Sequence, residues 1–235
     1  MDKSIKPYPF LKDSNIEKEA LKLLESFSRN MGKPIEAPIP VFDIIEFLGY
    51  DLNFTTDGYY QDKNILGGLR IAEKMVDINE NLSSQEGRMN FTAAHETGHI
   101  ILHAPYYITQ MAGQQMEINS KDESNILCRK DGGFDGNKKE PEEWQADKFA
   151  AYLLLPTAMV KKTFFHLHNR PINVKKKGIR DIFFPKSPIK KAYSLAHKML
   201  RTGNFENVSR MAMLNRLIGM RLVKGLPYQK SNATQ

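Results

Sequence analysis

The stretch Phe91-Thr-Ala-Ala-His95-Glu96-Thr-Gly-His99-Ile-Ile-Leu-His103 is compatible with few folds. On a helix, His95 and His99 lie one above the other on the same face, about 6 Å apart in rise. Two imidazoles so placed can close on one Zn²⁺, and Glu96, next to the first, points at the water such an ion holds. Zinc lowers the pKa of that water towards neutrality, and a carboxylate beside it can take the proton and pass it to a leaving amine. Phe91, Ala94, Ile100, Ile101 and Leu102 leave little polar surface outside the motif. The helix is therefore expected to be buried, and its two histidines and glutamate need partners.

A second stretch, Glu142-Glu143-Trp-Gln-Ala-Asp147-Lys-Phe-Ala-Ala-Tyr-Leu-Leu-Leu-Pro156, reads as the other half of a metal site. Pro141 suits the first turn of a helix and Pro156 ends it. A catalytic zinc takes three protein ligands and keeps a fourth position open, and Glu143 is the third ligand chosen here. Asp147 lies four residues on, where it would accept the free ring N–H of a ligand histidine and fix its tautomer. Glu142 points about 100° away around the helix and is the weaker candidate, read as a solvated first-turn carboxylate. His103 is separated from His95 by about 12 Å of helix, too far to share one tetrahedral ion. It is read as a cap or as a partner of a ligand. Two histidines and a carboxylate match Zn²⁺ best, with Mn²⁺ and Co²⁺ left open.

His95-Glu96-Thr97-Gly98-His99 followed by Ile-Ile-Leu-His, and then Glu143-Trp-Gln-Ala-Asp147-Lys-Phe-Ala-Ala running into Leu-Leu-Leu-Pro, resembles the ImmA/IrrE family of metallopeptidases. The resemblance covers residues 15 to 160 well and extends loosely to the end, through Asn204-Phe205-Glu206-Asn207-Val208-Ser209 and Asn215-Arg216-Leu217. It implies His95, His99 and Glu143 as zinc ligands and Glu96 as general base. It also implies a protein substrate, a DNA-binding helix-turn-helix repressor whose loss switches on mobile-element or stress genes. The fold class expected is α+β: a zincin-like metallopeptidase with a small antiparallel or mixed sheet, the active-site helix and a C-terminal helical hairpin.

With 235 residues the chain is expected to form a metallopeptidase domain over 1–165 and a basic helical region over 166–235. No run of about 18 apolar residues occurs and the start lacks a signal peptide's apolar core, so no membrane association is expected. A single cysteine, Cys128, excludes an internal disulfide framework and a cysteine-based zinc knuckle, and fits a reducing cytoplasm. It is read as a structural thiol, with a role as a resting-state zinc ligand the alternative. Charge is unevenly spread: residues 161–235 hold 17 Lys+Arg and 2 Asp+Glu, against 17 and 25 in residues 1–160. That asymmetry suggests an acidic partner, nucleic acid among the candidates, or else a solvated surface.

Along the chain, Ser14-Asn15-Ile16-Glu17 has the pattern of a capping box. It would open a helix with Ile16, Ala20, Leu23, Leu24, Phe27 and Met31 on its apolar face, stopped by Gly32 and Pro34. A short helix is expected over 41–48, and strands over 51–54, 65–71 and 74–78. Ser83-Ser84-Gln85-Glu86 is expected to cap the metal helix. A strand edge beside the cleft would take an extended peptide through its backbone. Tyr59 and Tyr60 are candidate donors to a tetrahedral intermediate, with aromatic packing the plainer reading. Residues 104–140 read as a long polar loop, a candidate lid, with an inserted strand at Ile126–Arg129 and a glycine-rich tip at Gly132–Gly136. Beyond a short helix at 157–165, His166 and His168 receive no role. Helices near 189–200 and 206–222 resemble a helix-turn-helix, or form a hairpin packed on the peptidase. Met211, Met213, Leu214, Leu217 and Ile218 would face inward, leaving Arg210, Arg216 and Arg221 outside. The alternative to a peptidase is a zinc-stabilised regulator that binds a repressor or DNA without turnover.

Overall fold

A computed structural model describes residues 8–56, 65–113, 125–129, 140–175 and 187–226. Apolar residues recurring every three or four positions turn one face of α1 (Asp13–Met31) inward, and Ile16, Ala20, Leu23, Leu24 and Phe27 are buried there. Met31 is 38% exposed, in the last turn before Gly32 takes φ 65°. The capping box does not form. The helix starts at Asp13, and Lys12 caps it with no side-chain hydrogen bond. Glu17, which would complete the box, instead accepts hydrogen bonds from Thr157 and Arg216. A short α2 (Val41–Phe47) buries Val41, Ile44 and Ile45.

Four strands form a mixed sheet in the order β1-β3-β2-β4: β1 (Asp51–Thr55), β2 (Ile65–Arg70), β3 (Met75–Asn79) and β4 (Asn125–Arg129). β2 and β3 make the expected antiparallel hairpin, while β1 runs parallel to β3. β4 comes from the stretch between the two motifs and lies antiparallel to β2. Every residue of β2 is buried, as befits a strand covered on both faces. Asp77 of β3 ties three strands together. It accepts from Arg70 of β2 at 2.8 and 3.0 Å and from Asn53 of β1 at 2.6 Å. The planar guanidinium fork matches the carboxylate, which lets both groups be buried.

Two helices cross beside this sheet, α3 (Glu86–Leu102) and α5 (Pro141–Leu154). Within the 83–86 stretch expected to cap α3, the N-cap is Gln85, with no side-chain hydrogen bond, and neither serine caps the helix. A 3₁₀ turn at Glu80–Leu82 precedes the helix and holds Ser83 at φ −53°, ψ −35°, not the extended conformation of an N-cap. Residues 104–113, expected as loop, form α4 (Ala104–Gly113). Pro105 in its first turn was the available signal. Tyr59, Tyr60 and the glycine-rich tip at 132–136 lie outside the described residues.

The C-terminal third contains α6 (Thr157–Leu167), β5 (Ile172–Asn173), α7 (Pro188–Thr202), α8 (Arg210–Gly219) and β6 (Val223–Lys224), with β5 and β6 paired in parallel. α8 is shorter than expected, because Ser209 caps it by accepting from the Ala212 N–H at 3.1 Å. Met213, Leu214 and Leu217 are buried, whereas Met211 is exposed. Arg216, expected outside, points inward. It donates to the Leu155 carbonyl at 3.0 Å and to Thr157 at 2.6 Å, and stacks on Tyr152 with its guanidinium 4.4 Å from the ring centre. Asn204 and Asn207 donate to the carbonyls of Ala37 and Ile39, both at 2.8 Å. One apolar core thus runs from Ile16 to Val223. Among the described residues no helix is long and apolar enough to cross a membrane.

Candidate metal centre

Helical spacing places His95, Glu96 and His99 on α3, and α5 brings Glu143 and Asp147 to the same point. The two histidines and Glu96 are almost wholly buried. His95 Nε2 and His99 Nε2 lie 3.0 Å apart, and the Glu143 carboxylate closes the triangle at 3.2 Å from the first and 3.4 Å from the second. On the far side of the first ring, His95 Nδ1 is 3.0 Å from Asp147 Oδ1. A carboxylate only accepts, so Nδ1 carries the proton of a neutral His95 and Nε2 presents its lone pair inward.

His99 Nδ1 is 3.0 Å from His103 Nδ1 while its Nε2 faces Glu143, so a His99 that ligates a metal through Nε2 carries its proton on Nδ1. With both Nε2 atoms unprotonated, three electron-rich atoms converge, an arrangement that could hold a cation. Their spacing fits one. Ligands about 2.0–2.1 Å from a tetrahedral zinc stand about 3.3–3.4 Å from each other, close to the separations here. The titration behaviour runs the same way. Burial pushes the His99 imidazole below its ordinary value and the neighbouring His95 adds to this, against the opposing pull of Glu143. Burial alone would raise Glu143, yet the facing His95 and His99 rings hold it well below the usual carboxylate range. Neutral imidazole and ionised carboxylate are the forms that bind metal.

Glycine sets how closely the pieces approach. A Cβ on Gly98 of α3 would lie 3.0 Å from Ala146 Cα and 3.2 Å from Phe149 Cβ, so the missing side chain lets α5 pack against the motif. A Cβ on Gly67 of β2 would meet Thr92 Cγ2 at 2.6 Å and Glu96 Oε1 at 3.4 Å. The Glu96 carboxylate therefore sits between α3 and the central strand.

Glu142 is a correction to the sequence reading. It is buried, not solvated, and accepts from Tyr107 Oη at 3.1 and 3.4 Å. Burial, and then the Glu142 carboxylate, push both the Tyr107 and Tyr8 phenols above their ordinary value. Tyr8 packs its edge on His103, with ring centres 4.6 Å apart. Neither tyrosine was picked out in the sequence. The available signals were an aromatic between Pro7 and Pro9 in a polar N-terminus, and Tyr107 one helical turn beyond His103. His166 and His168 lie at the end of α6, and His168 packs on Phe164.

A mixed α+β domain with two histidines and a glutamate gathered between crossing helices has the make-up of a metallopeptidase. The chain belongs to peptidase family M78, the IrrE N-terminal-like domain, which it matches over residues 52–170. No curated protein matches it.

Proposed function

We propose that the protein is a zinc-dependent endopeptidase that acts in the cytoplasm on a DNA-binding transcriptional repressor, so that cleavage derepresses mobile-element or stress genes. In this reading residues 1–165 are the peptidase domain and 166–235 a basic helical region packed on it. His95, His99 and Glu143 hold the ion, Glu96 is the general base and Asp147 fixes the His95 tautomer. The observation that carries the metal assignment is the convergence of His95 Nε2, His99 Nε2 and the Glu143 carboxylate within 3.4 Å. The repressor as substrate rests on the family resemblance.

Bound zinc supplies Lewis acidity, which activates water and polarises the scissile carbonyl. Glu96 takes the proton of the attacking water and passes it to the departing amine. Its burial against β2 keeps the carboxylate away from bulk water, where it would be solvated in other orientations. An extended peptide would dock along β4, an edge of the sheet among the described residues, through backbone hydrogen bonds.

Elemental analysis tests the reading. The purified protein is expected to carry near one zinc per chain. Chelation should abolish cleavage of an unfolded protein substrate, and added zinc should restore it. Absence of metal even after incubation with zinc would favour the alternative, a regulator that binds a repressor or DNA without turnover.

A second contact is favoured by α7. Lys190, Lys198 and Arg201 are exposed along a helix that contains no acidic residue. We propose that this face meets the phosphates of nucleic acid. Three phosphate contacts would give a log–log slope of binding against salt of about −3. Binding indifferent to salt would remove this reading.

A further inference from the structure

Behind His99, away from the Glu143 side, lies a buried polar cluster that the proposed hydrolysis does not use. His99 Nδ1 and His103 Nδ1 are 3.0 Å apart. A nitrogen of each ring and a carboxylate oxygen of Glu142 all lie within 4.8 Å of one another, and all three residues are buried. Tyr107 Oη donates to the Glu142 carboxylate, and the Tyr8 ring packs on His103. His103 reaches this position because α3 ends there. As the C-cap it takes φ −122°, ψ −44°, outside helical geometry.

Proton positions follow from the metal side. His99 Nε2 must present its lone pair towards the Glu143 side, so a neutral His99 carries its proton on Nδ1. That proton has His103 Nδ1 as its acceptor, which leaves the His103 proton on Nε2. The two ligand histidines are then held differently. His95 is fixed by Asp147, which is partly open to solvent, whereas His99 is fixed by a second imidazole in a buried site beside a carboxylate.

Resting on the metal-site reading above, we infer that His103, backed by Glu142, is the positioning residue for His99, fixing its tautomer and ring orientation through the Nδ1–Nδ1 hydrogen bond. Tyr107 orients the Glu142 carboxylate, and Tyr8 covers His103 from the N-terminal segment. The residue acts through His99 and does not touch substrate. A metal ligand held by such a partner loses roughly 10- to 100-fold in metal affinity when the partner is removed.

The test compares zinc affinity, by competition with a chromogenic chelator, in the full chain and in His103→Leu, His103→Gln, Glu142→Gln and the double variant His103→Leu/Glu142→Gln. Unfolding of the metal-free forms is followed in parallel. His103→Leu is expected to weaken binding by roughly 10- to 100-fold. His103→Gln should recover most of that loss, because its amide oxygen can accept the Nδ1–H. The double variant is expected to bind no more weakly than His103→Leu; a further loss would overturn the backing role and place Glu142 directly on His99. In cobalt-loaded protein, His103→Leu should also shift the visible ligand-field bands, which a loss of packing alone would not.

Equal affinity in wild type and His103→Leu would overturn the inference. So would equal losses in the Leu and Gln variants, which would mark His103 as packing only. Two ions per wild-type chain, one of them lost on changing His103, would also overturn it, assigning the cluster to a second metal. A wild-type protein that binds no metal would instead overturn the reading on which the inference rests.

Discussion

Replacing Glu96 by glutamine is expected to lower peptide hydrolysis by about 10²- to 10⁴-fold while zinc content stays at the wild-type level. Glutamine keeps the size and one acceptor oxygen of the carboxylate, but it cannot take a proton from water at neutral pH. Glu96 is fully buried, with its Oε1 close to Gly67 of the central strand, so an isosteric change leaves the packing of α3 against β2 in place. Metal retention follows because His95, His99 and Glu143 are untouched. Turnover of a defined peptide, measured beside elemental analysis of the same preparation, checks both halves. A variant that hydrolyses at the wild-type rate would remove Glu96 from the proton transfer. If Glu96→Gln were inactive in hydrolysis and yet kept its effect on gene expression in cells, that effect would come from binding and not from cleavage.

The clustering of His95, His99 and Glu143 was legible because its constraint is local. Four-residue spacing on a helix brings His95 over His99 whatever surrounds them, and the pair Glu143 and Asp147 obeys the same rule on α5. The hairpin of β2 and β3 and the strand around Ile126–Arg129 were legible from their apolar runs bounded by polar turns. Side-chain direction at helix ends was not. First-turn acids usually face solvent, so the sequence points Glu142 outward, but α4 and the N-terminal segment bring Tyr107 and Tyr8 over it. Arginine on an amphipathic helix usually faces water, so the sequence points Arg216 outward. Here a carbonyl, a hydroxyl and a carboxylate wait for it at the junction of α1, α5 and α6. Caps misled in the same way. The serines before α3 fit the local pattern, yet a 3₁₀ turn takes up Ser83; the Ser14–Glu17 box also fits, yet Glu17 goes to the distant Thr157. What depended on residues far apart in sequence was hidden until the helices were set against one another.

Gly98→Val is expected to destabilise the metal-free protein by about 1–3 kcal/mol and to weaken metal binding in the same variant. The position is tight because α3 and α5 meet there. A Cβ would lie 3.0 Å from Ala146 Cα and 3.2 Å from the Ala146 carbonyl oxygen, which are backbone atoms that cannot rotate away. Relief requires the helices to separate. Against this, replacing a mid-helix glycine favours the helix by up to about 1 kcal/mol, so alanine at this site balances two opposed effects. Valine adds two methyl groups, and the steric effect wins. For a chain of this size the melting temperature should fall by roughly 2–12 °C. Separation also carries Glu143 and Asp147 away from His95 and His99, and a metal site tolerates only about 0.2 Å of error in ligand distance. Gly219→Ala is the matching control, since a Cβ there meets nothing within 4 Å and should leave both quantities near wild type. Thermal unfolding with and without zinc, together with chelator competition, reads both effects. Wild-type stability and affinity in Gly98→Val would mean that the two helices can part without disturbing the site, and that the close crossing is not what sets the ligand geometry.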